Sequence, residues 1–188
     1  DPVSIDDFEH NDLSGRYSGS LASYSIQSST VLEGSFTLES ISQSSSTEEI
    51  ILDDGVSVSR GQEISLRWQG NTESLSGFIF GNQSESPSTF DGMSIYLEID
   101  GGPGDIYINE FSGGTRDVDS GTFDTAVPAA TEVICRIEWR SDPQDEIYVS
   151  VESPDGNTVY GTHTRAVSMP SASGGIGFTA YDGTTYFD

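Results

Sequence analysis

Apolar and polar residues alternate along short segments of this chain, and such segments recur roughly every 10 to 15 positions. A period of two is typical of β-strands that bury one face, and no segment has a convincing helical spacing. Clusters of Gly, Ser, Asp and Pro separate the segments and supply turn chemistry. The pattern predicts strands at residues 5–9, 24–27, 35–40, 49–52, 63–69, 77–81, 93–99, 105–111, 132–140, 146–152, 158–161 and 175–180.

About a dozen strands in 188 residues require two packed sheets. Residues 41–48 and 112–128 are rich in Ser or Gly and are predicted to be long loops. No domain boundary is evident. The sequence therefore predicts one all-β domain, residues 1–188, built as a two-sheet antiparallel β-sandwich.

Alternation also assigns a face to each side chain, because successive strand residues point to opposite sides of a sheet. The inward set contains both tryptophans: Ile64, Leu66, Trp68, Met93, Ile95, Leu97, Ile99, Ile106, Ile108, Val133, Ile137, Trp139, Ile147, Val149 and Val151. The single cysteine, Cys135, excludes an internal disulfide and is predicted to be a half-buried strand residue without reactivity.

The outward set is rich in tyrosine and arginine, and its candidate ligand-binding members are Arg67, Tyr96, Tyr107, Asn109, Arg136, Glu138 and Tyr148. Aromatic rings stack on the apolar face of a sugar, while Arg, Glu and Asn side chains address hydroxyl groups. We expect these residues to form one continuous face that binds an extended glycan. The same residue types also form cross-strand pairs that merely stabilise a solvated sheet face, so both interpretations stay open.

The charge is extreme: 31 carboxylates oppose seven arginines, lysine is absent, and the net charge is −24. Molar salt shortens the Debye length to roughly 3 Å and so removes most of this repulsion. The composition resembles that of proteins from extremely halophilic archaea and their viruses. Scattered aromatic residues and a 34% hydrophobic content argue against an acidic disordered tail. No basic stretch could bind nucleic acid, and no apolar run approaches the length that membrane insertion needs.

The order of several segments resembles the concanavalin A-like lectin and glucanase superfamily in its laminin-G-like form. These segments are Ile5 to Glu9, Val31 to Glu39, Glu63 to Trp68, Val133 to Trp139, Ile147 to Val151, Gly174 to Phe178 and Tyr186 to Asp188. The resemblance implies a jelly roll, a fold used most often for glycan binding but also for adhesion modules, enzymes and inert spacers.

Two further expectations follow from the resemblance. Family-16 glycoside hydrolases of this fold carry Glu-x-Asp-x-x-Glu, and Glu98-Ile99-Asp100 matches its start, but Pro103 stands where the last acid should be. Since retaining hydrolysis needs two carboxylates about 5 Å apart, the protein is expected not to be an enzyme, and a glycoside hydrolase is the less favoured alternative. Related jelly rolls often hold Ca²⁺ where the first strand, a turn and the last strand meet, and the matching residues here are Asp6, Glu9, Glu33, Gly34 and Asp188. These residues could equally be ordinary surface acids.

Together these features predict a non-enzymatic carbohydrate-recognition or adhesion module, displayed outside a halophilic cell or on a virion, whose partner is a cell-surface glycan or glycoprotein. The alternative is a structural virion or surface-filament protein, such as a capsid decoration, turret or tail-fibre domain, in a homo-oligomer or larger assembly. Both roles need Tyr and Arg on exposed sheet faces.

Overall fold

A computed structural model of the chain describes residues 8–10, 12–41, 48–52, 55–71, 74–83, 91–99, 102–141, 144–168 and 173–188. Within these ranges it has fifteen strands and one short 3-10 helix, Leu21–Ser23. The strands are β1 (Tyr17–Gly19), β2 (Tyr24–Gln27), β3 (Thr37–Ile41), β4 (Glu48–Leu52), β5 (Ser57–Ser59), β6 (Glu63–Gly70), β7 (Ser74–Asn82), β8 (Gly92–Ile99), β9 (Asp105–Ser112), β10 (Thr115–Thr122), β11 (Glu132–Arg140), β12 (Glu146–Glu152), β13 (Val159–Ala166), β14 (Ser173–Asp182) and β15 (Thr184–Phe187). No helix among the described residues is long and apolar enough to cross a membrane.

The strands form two antiparallel sheets, which confirms the predicted sandwich. The eight-stranded sheet has the order β1-β4-β14-β7-β8-β9-β10, with β5 also paired to β14. The seven-stranded sheet has the order β13-β12-β11-β6-β15-β3-β2. Strands that are consecutive in the chain, such as β6 and β7, therefore often lie in different sheets.

The core fills the space between the sheets, and every side chain predicted to point inward is buried. Trp68 packs against Phe187 with ring centroids 4.9 Å apart, and Phe187 packs against Phe178 at 5.0 Å. Full burial of one such large side chain contributes roughly 1.5–3 kcal/mol. Cys135 is also completely buried, more deeply than predicted, and burial raises the pKa of its thiol to about 12, so the prediction of an unreactive cysteine fits the structure.

The predicted loop 112–128 is wrong over residues 115–122, which form β10. This strand pairs along its whole length with β9 and is joined to it by a turn at Gly113 and Gly114, whose φ angles are +56° and +74°. Its side chains are almost all exposed, and Val118 is its one aliphatic side chain. Because β10 gains its stability from backbone pairing rather than from a buried face, it lacks the alternation that identified the other strands.

Other differences are smaller. The short strands β1, β5 and β15 were not predicted, because none of them carries two apolar residues separated by a polar one. The predicted strand 5–9 lies mostly outside the described residues, and its last two positions, Phe8 and Glu9, are not in a strand.

Candidate functional site

The outer face of the eight-stranded sheet carries a cleft of about 280 Å³. Five adjacent strands line it, through Tyr181 of β14, Leu75 of β7, Tyr96 of β8, Tyr107 and Asn109 of β9, and Arg116 and Val118 of β10. The volume lies near the lower end of the range for small-molecule sites, which is about 300–1,000 Å³. We call this set of residues the cleft.

Small residues under the cleft explain why a large ring can lie flat there. Thr179, Gly77, Tyr96 and Tyr107 stand opposite one another on four neighbouring strands. A Cβ atom on Gly77 would lie 2.6 Å from the Ile95 carbonyl oxygen and 2.7 Å from Thr179 Cγ2, so a side chain has no room. The Tyr96 ring therefore crosses over β7, and its hydroxyl lies 2.9 Å from Thr179 Oγ1 on β14.

Tyr107 is held in the cleft by two carboxylates. Its hydroxyl donates to Glu98 Oε2 at 2.7 Å and approaches Asp105 Oδ2 at 3.3 Å. Burial, followed by the hydrogen bond to Glu98, raises the pKa of the Tyr107 hydroxyl, which therefore stays protonated. This contact fixes the ring while leaving it half-buried at the cleft wall.

Two cleft residues are less exposed than the sequence suggested. Tyr96 and Asn109 are 3% and 2% exposed, although both had been placed on a solvated face. Their side of the strand was predicted correctly, but neighbouring side chains cover them. The Asn109 amide, for example, donates to Ser94 Oγ at 3.2 Å on the adjacent strand. They form the floor of the cleft rather than its rim.

The prediction of one continuous binding face is wrong. Tyr96, Tyr107 and Asn109 lie on the eight-stranded sheet, whereas Arg67, Arg136, Glu138 and Tyr148 lie on β6, β11 and β12 of the seven-stranded sheet. Alternation tells whether a side chain points inward or outward, but it does not tell which sheet carries the strand. The outward residues therefore split between two opposite surfaces of the sandwich.

On the seven-stranded sheet, the outward residues form ion pairs and hydrogen bonds with one another. Arg136 pairs with Glu152 and with Glu63, and Arg140 Nε donates to Glu138 at 2.8 Å. The Arg140 guanidinium carbon also lies 4.0 Å from the centroid of the Tyr148 ring. This arrangement matches cross-strand pairing on a solvated face, the alternative to ligand binding that the sequence left open. We refer to it as the ion-paired face.

The segments predicted to form a metal site do meet. Asp188 Oδ2 accepts a hydrogen bond from the Glu33 backbone N–H at 3.0 Å, and Glu9 Oε1 accepts from Ser35 N at 2.5 Å. Gly34 adopts a φ of +66°, and a Cβ atom there would collide with Glu9 Oε1. Burial, assisted by the nearby Glu33 carboxylate, raises the pKa of Asp188 to about 6.

These contacts do not by themselves make a calcium site. Glu33 also accepts from Arg67 Nε at 2.7 Å, so its charge is already neutralised. No group of three or more His, Cys, Asp or Glu side chains in the described part of the chain is arranged to hold a metal ion. Asp6, the remaining predicted ligand, lies outside the described residues. The described residues thus form a hydrogen-bonded junction of three segments.

Sequence reasoning missed four of the cleft residues. Leu75, Arg116, Val118 and Tyr181 were not candidates, and two of them lie on the strand that had been predicted as a loop. A usable signal exists in the Gly113-Gly114 pair, which is typical of a two-residue hairpin turn and follows the predicted strand 105–111.

Glu49 on β4 is another unpredicted feature of this outer face. Glu49 is the cross-strand neighbour of Thr179, and Thr179 is in turn the neighbour of Gly77. Glu49 therefore lies on the same outer face as Tyr96, next to the cleft. Burial raises the pKa of its carboxyl group to about 7.

No family model matches the sequence, and no curated protein does. Among solved structures, a carbohydrate-binding module from Bacillus subtilis has a TM-score of 0.59 at 11% identity, with 92% of this chain and 91% of that chain covered. The β-glucanase of Bacillus licheniformis also has a TM-score of 0.59, at 12% identity with 95% and 92% covered. A legume lectin-like domain from Entamoeba histolytica has a TM-score of 0.54 at 9% identity, with 89% and 87% covered.

At identities this low, the likeness shows a common fold alone. It confirms the expectation that the sandwich is a jelly roll with the architecture of concanavalin A-like lectins and glucanases.

Proposed function

We propose that the protein is a carbohydrate-recognition module and that the cleft on the eight-stranded sheet is its binding site. The observation that carries this proposal is the gathering of Tyr96, Tyr107 and Tyr181 with Asn109 and Arg116 in one cleft. Aromatic rings offer flat apolar surfaces on which a sugar ring stacks, and the half-buried Tyr107 and Tyr181 line the cleft above the buried Tyr96 and Asn109.

The fixed positions of the rings support this function. The Tyr96 hydroxyl is tied to Thr179, and the Tyr107 hydroxyl is tied to Glu98, so neither ring has to be ordered when a ligand arrives. A preorganised site loses less conformational entropy on binding, which matters for weakly held, flexible saccharides.

The role we propose is recognition rather than hydrolysis. The acid that would complete the family-16 motif is replaced by Pro103. Glu98, the first residue of that motif, accepts a hydrogen bond from Tyr107. The glucanase among the structural neighbours makes hydrolysis the relevant competing function, and an assay for new reducing ends after incubation with each bound saccharide separates the two.

The proposed setting is the surface of a halophilic cell or of a virion, and the proposed partner is a cell-surface glycan or glycoprotein. The net charge of −24 without lysine supports a high-salt environment. A purely structural role within an assembly is the less favoured alternative, because the arginines of the ion-paired face already have partners within the chain. Calcium at the junction of Glu9, Glu33, Gly34 and Asp188 stays a proposal, and it requires further ligands such as Asp6.

Isothermal titration in molar KCl against a panel of oligosaccharides tests the proposal. Tyr107→Ala should weaken binding by about 1 kcal/mol or more, roughly fivefold to thirtyfold, because a stacking surface is lost. Tyr148→Ala is the matched control, since this outward tyrosine lies on the opposite sheet. The proposal fails if the parent binds no saccharide, or if both variants bind as the parent does.

A further inference from the structure

Cations are scarce on this protein, and almost all of them are neutralised. Five arginines form ion pairs with carboxylates: Arg60, Arg67, Arg136, Arg140 and Arg165. Arg116 lines the cleft, is exposed, and forms no ion pair or hydrogen bond with any residue in the described part of the chain. With 31 carboxylates against seven arginines, an arginine left without a carboxylate partner is unexpected.

The strand itself explains why Arg116 has no partner. Its acidic neighbours on β10 point to the other side: Asp117 Oδ2 lies 2.5 Å from Arg165 Nη2, and Asp119 Oδ2 lies 3.4 Å from His163 Nε2. On the side of Arg116, the cross-strand neighbour is Phe111 and the next residue along the strand is Val118. Arg116 therefore presents a positive charge among apolar side chains at one end of the cleft.

High salt does not prevent such a guanidinium from binding an anion that it contacts directly. The carboxylates beside the cleft are those of Glu98 and Asp105 at the Tyr107 hydroxyl, and Tyr107 lies four residues along β9 from Phe111, the cross-strand neighbour of Arg116. At molar ionic strength the Debye length is roughly 3 Å, so an anion at Arg116 is shielded from these carboxylates and from the more distant ones. A guanidinium in direct contact with the anion still forms two parallel hydrogen bonds to it. Arg116 can thus attract an anion to a protein whose overall charge would repel it.

We infer that the cleft selects acidic saccharides, with the carboxylate of a uronic acid residue paired to Arg116 while its ring stacks on the cleft tyrosines. The inference rests on the proposed function and specifies its ligand class. A sulfate ester on a sugar offers the same chemistry to a guanidinium, so the experiment must separate the two sources. Neutral saccharides would use the tyrosine rings alone and bind more weakly.

The test uses the whole chain in KCl of constant molar concentration. The probes are oligomers of glucuronate, galacturonate and mannuronate, each compared with its carboxyl-reduced neutral counterpart, together with a sulfated galactan oligomer. The parent should bind at least one uronate oligomer about tenfold more tightly than its reduced form. Arg116→Gln should lower the affinity for the uronate oligomer about tenfold, to that of its reduced form, while Arg116→Lys should retain part of the preference. Arg60→Gln, which removes an arginine outside the cleft, is the matched control.

Each outcome of this experiment either supports or overturns the inference. Equal affinities for the uronate and reduced oligomers, or a preference that survives Arg116→Gln, overturn the inference while leaving carbohydrate recognition intact. A preference for the sulfated oligomer that Arg116→Gln removes keeps the anion site and reassigns its source to sulfate. If no saccharide of either class binds, or if Tyr107→Ala has no effect on binding, the proposed function itself is wrong and the inference falls with it.

Discussion

Replacement of Arg165 by methionine should loosen β10 and with it one wall of the cleft. Arg165 lies on β13, at the edge of the seven-stranded sheet, and is 8% exposed. Its Nη1 donates to the carbonyl oxygens of Ile108 at 2.7 Å and Asp117 at 2.8 Å, and its Nη2 donates to Asp117 Oδ2 at 2.5 Å. The side chain thus joins β13 to β9 and β10 of the other sheet.

The expected loss follows from these contacts. A hydrogen bond to a charged donor contributes about 1.5–3 kcal/mol, and the Ile108 carbonyl oxygen is buried. The ion pair with Asp117 contributes little, because the Asp117 side chain is 79% exposed. Relief of the cost of burying a guanidinium offsets part of the total. We expect Arg165→Met to lower the free energy of unfolding by about 2–3 kcal/mol.

Urea denaturation in constant molar KCl measures this loss, and amide hydrogen exchange locates it. Exchange should accelerate in residues 115–122 more than in the central strands, since β10 is an edge strand with few buried side chains. Arg60→Met is the control, because the partly exposed pair of Arg60 and Asp145 should contribute less than about 1 kcal/mol. A stability within about 0.5 kcal/mol of the parent, with unchanged exchange at 115–122, would refute the reasoning.

Three further predictions concern pH, salt and metal. Burial raises the pKa of Glu49 from 4.5 to about 7, so the native carboxyl group keeps its proton at pH values where the unfolded chain has lost it. The free energy of unfolding should therefore fall by about 1–2 kcal/mol as the pH rises from 4.5 to 7. In urea titrations Glu49→Gln should flatten that part of the pH profile, and an unchanged slope would contradict this cause. The net charge of −24 predicts that the protein is folded in molar KCl and loses structure below about 0.3 M, which far-ultraviolet circular dichroism measures. An unfolding midpoint that does not depend on the salt concentration would contradict adaptation to high salt. If calcium binds at Asp188, added Ca²⁺ should raise the melting temperature of the parent but not of Asp188→Ala, whereas equal melting with Ca²⁺ or a chelator at constant ionic strength rejects the site.

Much of the sandwich could be predicted from alternation, because most strands bury one face. The bounds of β2, β11 and β12 agree with the prediction, and Trp68 and Trp139 lie in the core as their positions required. The turn residues marked where strands end.

The site was harder to predict for two physical reasons. Alternation does not reveal strand order, so Tyr107 and Tyr148 had been placed on one surface although they belong to opposite sheets. An edge strand held by its backbone also leaves little trace in the sequence, and β10 was missed together with Arg116. The carboxylate partners of Arg136, which are Glu152 and Glu63, lie on neighbouring strands and became evident only from the pairing register.

Nuclear magnetic resonance can locate the proposed binding of a saccharide in the cleft of the eight-stranded sheet. The ¹⁵N-labelled protein is titrated in molar KCl with the tightest-binding oligosaccharide of the panel. Binding in the cleft should change the chemical shifts of the backbone amides of Leu75, Tyr96, Tyr107, Asn109, Arg116, Val118 and Tyr181, with little change in β6, β11 and β12. Changes centred on Arg136, Glu138 and Tyr148, with the cleft amides unmoved, would contradict it.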